Sequence, residues 1–236
     1  MDLPQPMVKA TLIKRYKRFL ADVTLENGEV ITAHCANPGA MLGLNKPGLP
    51  VYLSKSDNPK RKLKYSLELV ELPTGPVGIN TNNPNKIVKE ALASKSIEEF
   101  TGIEDFRAEV KYGENSRIDF LLNTEAERKT FLEVKNVHLS RGNGLAEFPD
   151  CETERGVKHL RELGNMVQDG HRAVAFYLVQ RTDCASLSFA QDLAPKYFTA
   201  VEQAAKAGVE FLCYDCHIDT NEIIVGKRLP VALPGM

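Results

Sequence analysis

A chain of 236 residues, 43% of them hydrophobic and 26% charged, is long enough to bury a substantial core and has the make-up of an ordinary globular protein. It contains no apolar run of about 18 residues to span a membrane, and its five cysteines, an odd number, do not suggest a secreted disulfide framework. The net charge of −1 hides an asymmetry: residues 1–80 hold 11 Lys+Arg against 7 Asp+Glu, and the remainder 19 against 24. A basic first part suits a local patch for a polyanion, and equally a solvated surface. The opening MDLPQPMVKA lacks the basic-then-apolar layout of a signal peptide, so a cytoplasmic protein with no membrane partner is expected.

In residues 10–36, Asn27-Gly28 between two β-rich runs predicts a hairpin with a type I′ turn, whose two central residues need positive φ. The strand before it reads as long, with Lys14, Arg15, Lys17 and Arg18 around Tyr16 and Phe19. Basic and aromatic residues interleaved in this way suit neutralising phosphates and stacking on bases. The same residues would also guard an exposed edge strand. HCANPGAMLGL is turn-rich around Pro38-Gly39, and His34-Cys35 beside it is assigned no role. GLPVYLSKS predicts a third strand, and SDNPKRKLKY a loop in which Lys60, Arg61, Lys62 and Lys64 are nearly contiguous. YSLELVEL and GPVGIN supply a fourth and a fifth strand. Five short strands with turns and no long helix describe a small closed barrel of OB type, with an SH3-like barrel fitting almost as well.

The character changes near residue 80. Asn83 as N-cap with Pro84 at the first helical position opens a helix through about Ala93. Ser96 with Glu99 reads as a capping box opening a second short helix. RAEVKYG, SRIDFLLN and TFLEVKNV predict three strands, the last two joined by the polar turn TEAERK. HLSRGNGLAEFPD reads as a Gly-rich loop. Asp150 or Thr153 caps a helix that ends at Gly170. RAVAFYLVQ, continuously apolar, marks a strand buried on both faces. An amphipathic helix in PKYFTAVEQAAKAG, a strand in VEFLCYDCHI and a last segment EIIVGKRLPVAL follow. The expected architecture is α+β overall: an OB-like barrel over residues 1–80, then a mixed α/β sheet covered by helices over residues 81–236.

Two strands of this second part carry acids where hydrophobes should stand. These are Asp119 and Glu133, and Lys135 follows two residues later on the face of Glu133. Ile118, Phe120, Leu132 and Val134 are expected on the opposite face. Two carboxylates and an ammonium among Ile, Leu, Phe and Val are costly without a use. An acid on one strand and E-x-K on the next suit metal-dependent phosphodiester cleavage. The two carboxylates and the Val134 carbonyl can hold a hard divalent cation, Mg2+ or Mn2+. Such a cation neutralises the phosphate and lowers the pKa of a bound water, while Lys135 orients that water or stabilises the developing charge. The competing reading is a plain same-face salt bridge between Glu133 and Lys135. A further alternative, acid–base work by the carboxylates on a glycosidic bond, is disfavoured by the absence of Trp and by the lysine beside the second acid. Cys213-x-x-Cys216 next to His217 resembles half a zinc site, but with no second half one cysteine reads as core and the other as lying near the turn.

RYKRFLADV, HCANPGAM, SDNPKRK, KYGENSRIDF, LEVKNV and FPD followed by TERGVKHLREL resemble the sugar fermentation stimulation protein A family over essentially the whole chain. The resemblance implies an OB-like barrel followed by a PD-(D/E)xK nuclease-like domain, sequence-independent DNA binding and a regulatory role in sugar (maltose) utilisation. It implies that Asp119, Glu133 and Lys135 fill the two acids and the lysine of the catalytic motif, with the acids as metal ligands. Glu90 in KIVKEAL is offered as a further acid from the first helix, a solvated helix residue being the alternative. On the helix after the E-x-K strand, Glu154, Lys158 and Arg161 share one stripe, and Arg155 and His159 an adjacent one. Arg155 and Lys158 are the expected phosphate contacts there, and His159 is either packed or a proton carrier. The partner expected is DNA of any sequence, and a homo-oligomer is compatible with that. A binding-only regulator with a vestigial site is the alternative to a nuclease.

Overall fold

In the computed structural model the described residues are 1–113, 116–123 and 128–235. Alternating apolar residues build the first six strands: β1 (Val8–Tyr16), β2 (Leu20–Leu25), β3 (Val30–Cys35), β4 (Pro50–Lys55), β5 (Tyr65–Leu72) and β6 (Gly75–Gly78). They lie in the order β3-β2-β1-β4-β5-β6, and a parallel pairing of His34 with Ser66 and Cys35 with Leu67 joins β3 to β5. Five strands thereby close into an OB-like barrel, and β6 lies outside the closure. Leu12, Val23, Met41, Leu44, Leu53, Leu67 and Ile79 fill its interior, each contributing on the order of 1.5–3 kcal/mol by leaving water.

The five barrel strands are not the five expected. The long basic strand turns back on itself at Lys17–Arg18–Phe19, so that Tyr16 pairs with Leu20. Lys17 and Arg18 there have φ of 47° and 62°, left-handed values that a turn normally gives to Gly or Asn. At Asn27-Gly28 only Gly28, with φ 84°, is left-handed, so that hairpin is not type I′. GPVGIN yields β6, an appendage of the barrel.

The second part holds α1 (Pro84–Ala93), β7 (Asp105–Tyr112), β8 (Ser116–Asn123), β9 (Thr130–Val137), β10 (Leu139–Ser140), β11 (Leu145–Phe148), α2 (Glu154–Gln168), β12 (Arg172–Val179), β13 (Ser186–Phe189), α3 (Pro195–Lys206), β14 (Glu210–Ile218) and β15 (Ile223–Arg228). Six strands form one mixed sheet in the order β15-β14-β12-β9-β8-β7. The continuously apolar β12 lies between β9 and β14, parallel to both. Its Ala175, Tyr177 and Val179 pack with Leu160, Leu163, Tyr197 and Val201 from α2 and α3. Its Val174, Phe176 and Leu178 pack with Ile87, Val88 and Leu92 from α1. No described helix is long and apolar enough to cross a membrane.

Four local expectations change. The capping box at Ser96 does not form: the second helix is a 3-10 turn over Glu98–Phe100 with Ile97 at its N-cap, because Glu99 accepts the Tyr214 hydroxyl at 2.5 Å instead of reaching back. Asn83 precedes α1 but makes no side-chain cap; its amide turns to Glu68. The expected loop after β9 contains β10 and β11, which join β13 in a small sheet. Ile118 packs on the α2 side with Tyr112 and Phe131, while Phe120, Leu132 and Val134 pack on the α1 side. The alternation breaks where Glu109, opposite Asp119, adopts φ 55°. Of the TEAERK turn, residues 124–127 lie outside the described residues.

Barrel and sheet are stitched together by polar contacts. Met41 N–H donates to Asp150 Oδ2 at 3.0 Å, Thr74 Oγ1 to Asp183 Oδ2 at 2.6 Å, and Gly78 N–H to the Gln180 carbonyl at 2.9 Å. Gly39 lies so close to Asp150 that a Cβ there would collide with the carboxylate. Buried Glu68 accepts from Ser54 Oγ and Asn80 Nδ2, both at 2.7 Å. Thr153, not Asp150, caps α2, accepting from Gly156 N–H at 3.0 Å.

Candidate functional site

The described β8–β9 ladder runs through Phe120↔Leu132 and no further toward the next pair. At that point the Asp119 carboxylate takes over, and its Oδ2 accepts the Val134 N–H at 2.7 Å. Asp119 Oδ1 accepts from Asn85 Nδ2, also at 2.7 Å, which ties the strand to the first turn of α1. Burial and the neighbouring Glu133 charge push the Asp119 carboxyl up to about 6, with the Val134 and Asn85 hydrogen bonds pulling it down.

Glu133 is buried on β9, two strands from the sheet's edge. Its Oε1 accepts from Lys135 Nζ at 2.8 Å and from His159 Nδ1 on α2. Arg155 Nε donates to His159 Nε2 at 3.3 Å. Lys135 Nζ also lies 3.4 Å from His159 Nδ1, so the imidazole sits between both cations and the Glu133 carboxylate. Burial alone would raise the Glu133 carboxyl, but the Lys135 charge and the His159 hydrogen bond hold it below its ordinary value. Glu133 Oε2 is buried without a hydrogen-bond partner.

The side chains expected to act together therefore divide. Asp119, Glu133 and Lys135 gather where β8 and β9 part, with Arg155 joined to them through His159. Lys158, half-exposed on α2, stands 3.6 Å from Glu162. Glu90 stands apart: α1 turns it outward, and its carboxylate pairs with the Met1 amino group at 2.6 Å. Among the described residues no three His, Cys, Asp or Glu side chains group to hold a metal. Cys213 and Cys216 are free and buried on opposite sides of the sheet, so both are core residues, where only one was expected to be.

In the barrel, Lys14 lies 3.5 Å from Asp22 and over the Tyr16 ring. Arg15, expected among the DNA contacts, is turned to internal work: Nη2 donates to the carbonyls of Arg18, Asn37 and Gly39 at 2.9, 2.6 and 2.9 Å. Those carbonyls belong to turns and lack ladder partners. Lys17, Arg18, Lys60, Lys62 and Lys64 are exposed, and Arg61 donates to Ser66 Oγ at 3.0 Å.

Sequence reasoning missed Asn85, Tyr112 and Glu162. Both Glu162 oxygens and the Tyr112 hydroxyl are buried without hydrogen-bond partners. Burial and the charges of Glu133, Glu162 and Asp119 drive the Tyr112 hydroxyl far above its ordinary range. The one signal available for Glu162 was its spacing, three residues after His159 on an amphipathic helix.

Two family models match the chain: an SfsA N-terminal OB domain over residues 13–79 and a sugar fermentation stimulation protein RE domain over residues 82–222. A sugar fermentation stimulation protein homolog from Maricaulis maris is 52% identical over 233 residues, covering 99% of each chain. One from Dinoroseobacter shibae is 53% identical, covering 98% of this chain and 96% of its own. The Pyrococcus furiosus SfsA structure, in complex with Ca2+, superposes with a TM-score of 0.89 at 25% identity over 99% of this chain and 98% of its own. By two family models and by relatives half identical along the whole length, the chain belongs to the sugar fermentation stimulation protein family.

Proposed function

We propose that the protein binds DNA without regard to sequence, as a regulatory factor in sugar (maltose) use, and that Asp119, Glu133 and Lys135 form a nuclease-type site acting on its phosphodiesters. In this reading residues 1–80 grip the strand and residues 81–236 carry the chemistry. The observation that supports it most is Glu133 Oε2, buried and bonded to nothing beside the desolvated Asp119. Such an atom is expensive to keep, and the hard oxygens of Asp119 and Glu133 fit a divalent cation. The Pyrococcus furiosus relative was solved with Ca2+, a cation of the same ligand preference. Mg2+ or Mn2+ held by Asp119 and Glu133 would neutralise phosphate charge and lower the pKa of a water. Lys135 Nζ, fixed by Glu133 Oε1, is suited to donate to a phosphate oxygen. Arg155 and Lys158 on α2, with Lys14, Lys17, Arg18, Lys60, Arg61, Lys62 and Lys64 on the barrel, add the positive charge that backbone binding needs.

A binding-only reading draws on a different observation: Glu133 Oε1 is already satisfied by Lys135 and His159, and no three-ligand group forms among the described residues. Cleavage separates the two. Flap, nicked, single-stranded and four-way DNA are incubated with Mg2+ or Mn2+ and either wild type or Asp119→Ala. Products from wild type alone are expected. Products from both proteins would mean contamination, and products from neither would leave the binding-only regulator.

A further inference from the structure

The turn that the sequence hid is also the most unusual piece of backbone on the barrel. Lys17 and Arg18 hold left-handed φ values that cost of order 1–3 kcal/mol each for residues with side chains. Arg15 Nη2 donates to the Arg18 carbonyl at 2.9 Å, which ties the turn back to β1. The next residue, Phe19, is 46% exposed, one of the few large apolar side chains left to solvent among the described residues. Its ring stacks on His34 of β3, with centroids 6.5 Å apart and planes 10° from parallel.

One further cation, Arg61, approaches from the β5 side. His34 is in register with Ser66 of β5, so their side chains share the outer face of the barrel. Ser66 Oγ accepts from Arg61, in the loop between β4 and β5. A flat aromatic ledge thus stands between the Lys17–Arg18 turn and Arg61, whose guanidinium keeps further donors beyond the one given to Ser66. Arg15 Nη2, which holds the Arg18 carbonyl, also holds the carbonyl of Gly39, and Gly39 lies against Asp150, just ahead of α2, so the turn borders the part of the molecule that leads to Arg155 and His159.

We propose that this ledge is a binding site for an unpaired nucleotide. Its base stacks on the open face of Phe19, and its flanking phosphates contact Lys17, Arg18 and Arg61. A base inside a duplex hides its faces in its own stack and cannot lie on Phe19, whereas one in a single strand, flap or gap can. The inference rests on the DNA-binding reading above and narrows its substrate to DNA carrying unpaired bases.

The chain contains no Trp, so full-length Phe19→Trp places a sole tryptophan reporter on the ledge. Titration with an oligo(dT) of about 12 nucleotides, within the span such surfaces cover, should quench its fluorescence; a blunt duplex of equal length should not. By fluorescence anisotropy, Phe19→Ala and Phe19→Leu should each weaken oligo(dT) binding roughly tenfold. Phe19→Trp should bind as wild type does, and duplex affinity should change less than twofold. No quenching, or equal losses for oligo(dT) and duplex, overturns the ledge while leaving the DNA-binding reading itself standing. Unchanged oligo(dT) affinity with a loss of self-association, read by light scattering, would make Phe19 a contact between copies. Failure of wild type to bind any DNA would instead bring down the reading on which the ledge rests.

Discussion

Replacing Asp150 by Asn tests the seam between barrel and sheet. Asp150 Oδ2 accepts the Met41 N–H from the barrel and lies 3.2 Å from His138 Nε2. Asn136 Oδ1 accepts from Gln180, which turns its amide N–H toward His138 Nδ1 and leaves Nε2 to carry the proton toward Asp150. Burial would raise the Asp150 carboxyl, but His138 and the Met41 amide hold it down to about 2 from an ordinary 3.8. Because the folded value lies below the unfolded one, the carboxylate contributes its full stability above about pH 4, and that contribution is lost as the pH falls through about 2. At about 1.4 kcal/mol per unit, the shift amounts to roughly 2 kcal/mol for this largely buried group. Urea unfolding of wild type and Asp150→Asn should therefore differ by about 2 kcal/mol at pH 7 and by about half that at pH 3. Stabilities that differ equally at both pH values, or not at all at pH 7, would refute the assignment of this seam to an ionised Asp150.

Other consequences can be checked separately. Arg15→Ala should lose about 2–3 kcal/mol in urea unfolding, since three turn carbonyls lose a charged donor. Arg15→Lys should recover only part of that, because an ammonium lacks the fork; full recovery would show that charge alone matters. Lys17→Asn with Arg18→Gly relieves the left-handed strain and should stabilise the barrel by about 1 kcal/mol while weakening DNA binding. A destabilised double variant would mean that the turn is not strained. Alanine at Lys60, Arg61 and Lys62 together should weaken binding to unrelated duplexes alike and reduce the salt slope by about 3; a loss confined to one sequence would contradict backbone binding.

The parts of this molecule that could be read beforehand are those where chemistry and periodicity coincide. Asp119, Glu133 and Lys135 announced themselves because period-two alternation makes a charged residue conspicuous in a strand of Leu, Phe and Val. Pro84 and Thr153 marked helix starts through purely local rules. The Lys17–Arg18 turn was illegible for the opposite reason: it uses left-handed backbone without the Gly or Asn that normally announces it. Arg15 looked like its neighbours Lys14 and Lys17, yet its role follows from carbonyls more than 20 residues away. Glu99, Asn83 and Asp150 each had a local capping partner and took a distant one, Tyr214, Glu68 and Met41. Glu162 gave no sign beyond its spacing from His159, because a buried acid on a polar helix looks like a solvated one until the fold is known.

Glu133 and Lys135 ride on an interior strand, paired with β8 on one side and along its length with β12 on the other. Fraying begins at edges, here β15 and β7, and reaches an interior strand late. Amides of β9 should therefore exchange with solvent only through the rarest openings of the sheet. The ledge, in contrast, sits on a surface turn that opens far more often. Under the function proposed above, mild heating or low denaturant would release the grip on DNA before it dismantles the acidic centre, and binding and cleavage would disappear in sequence rather than together.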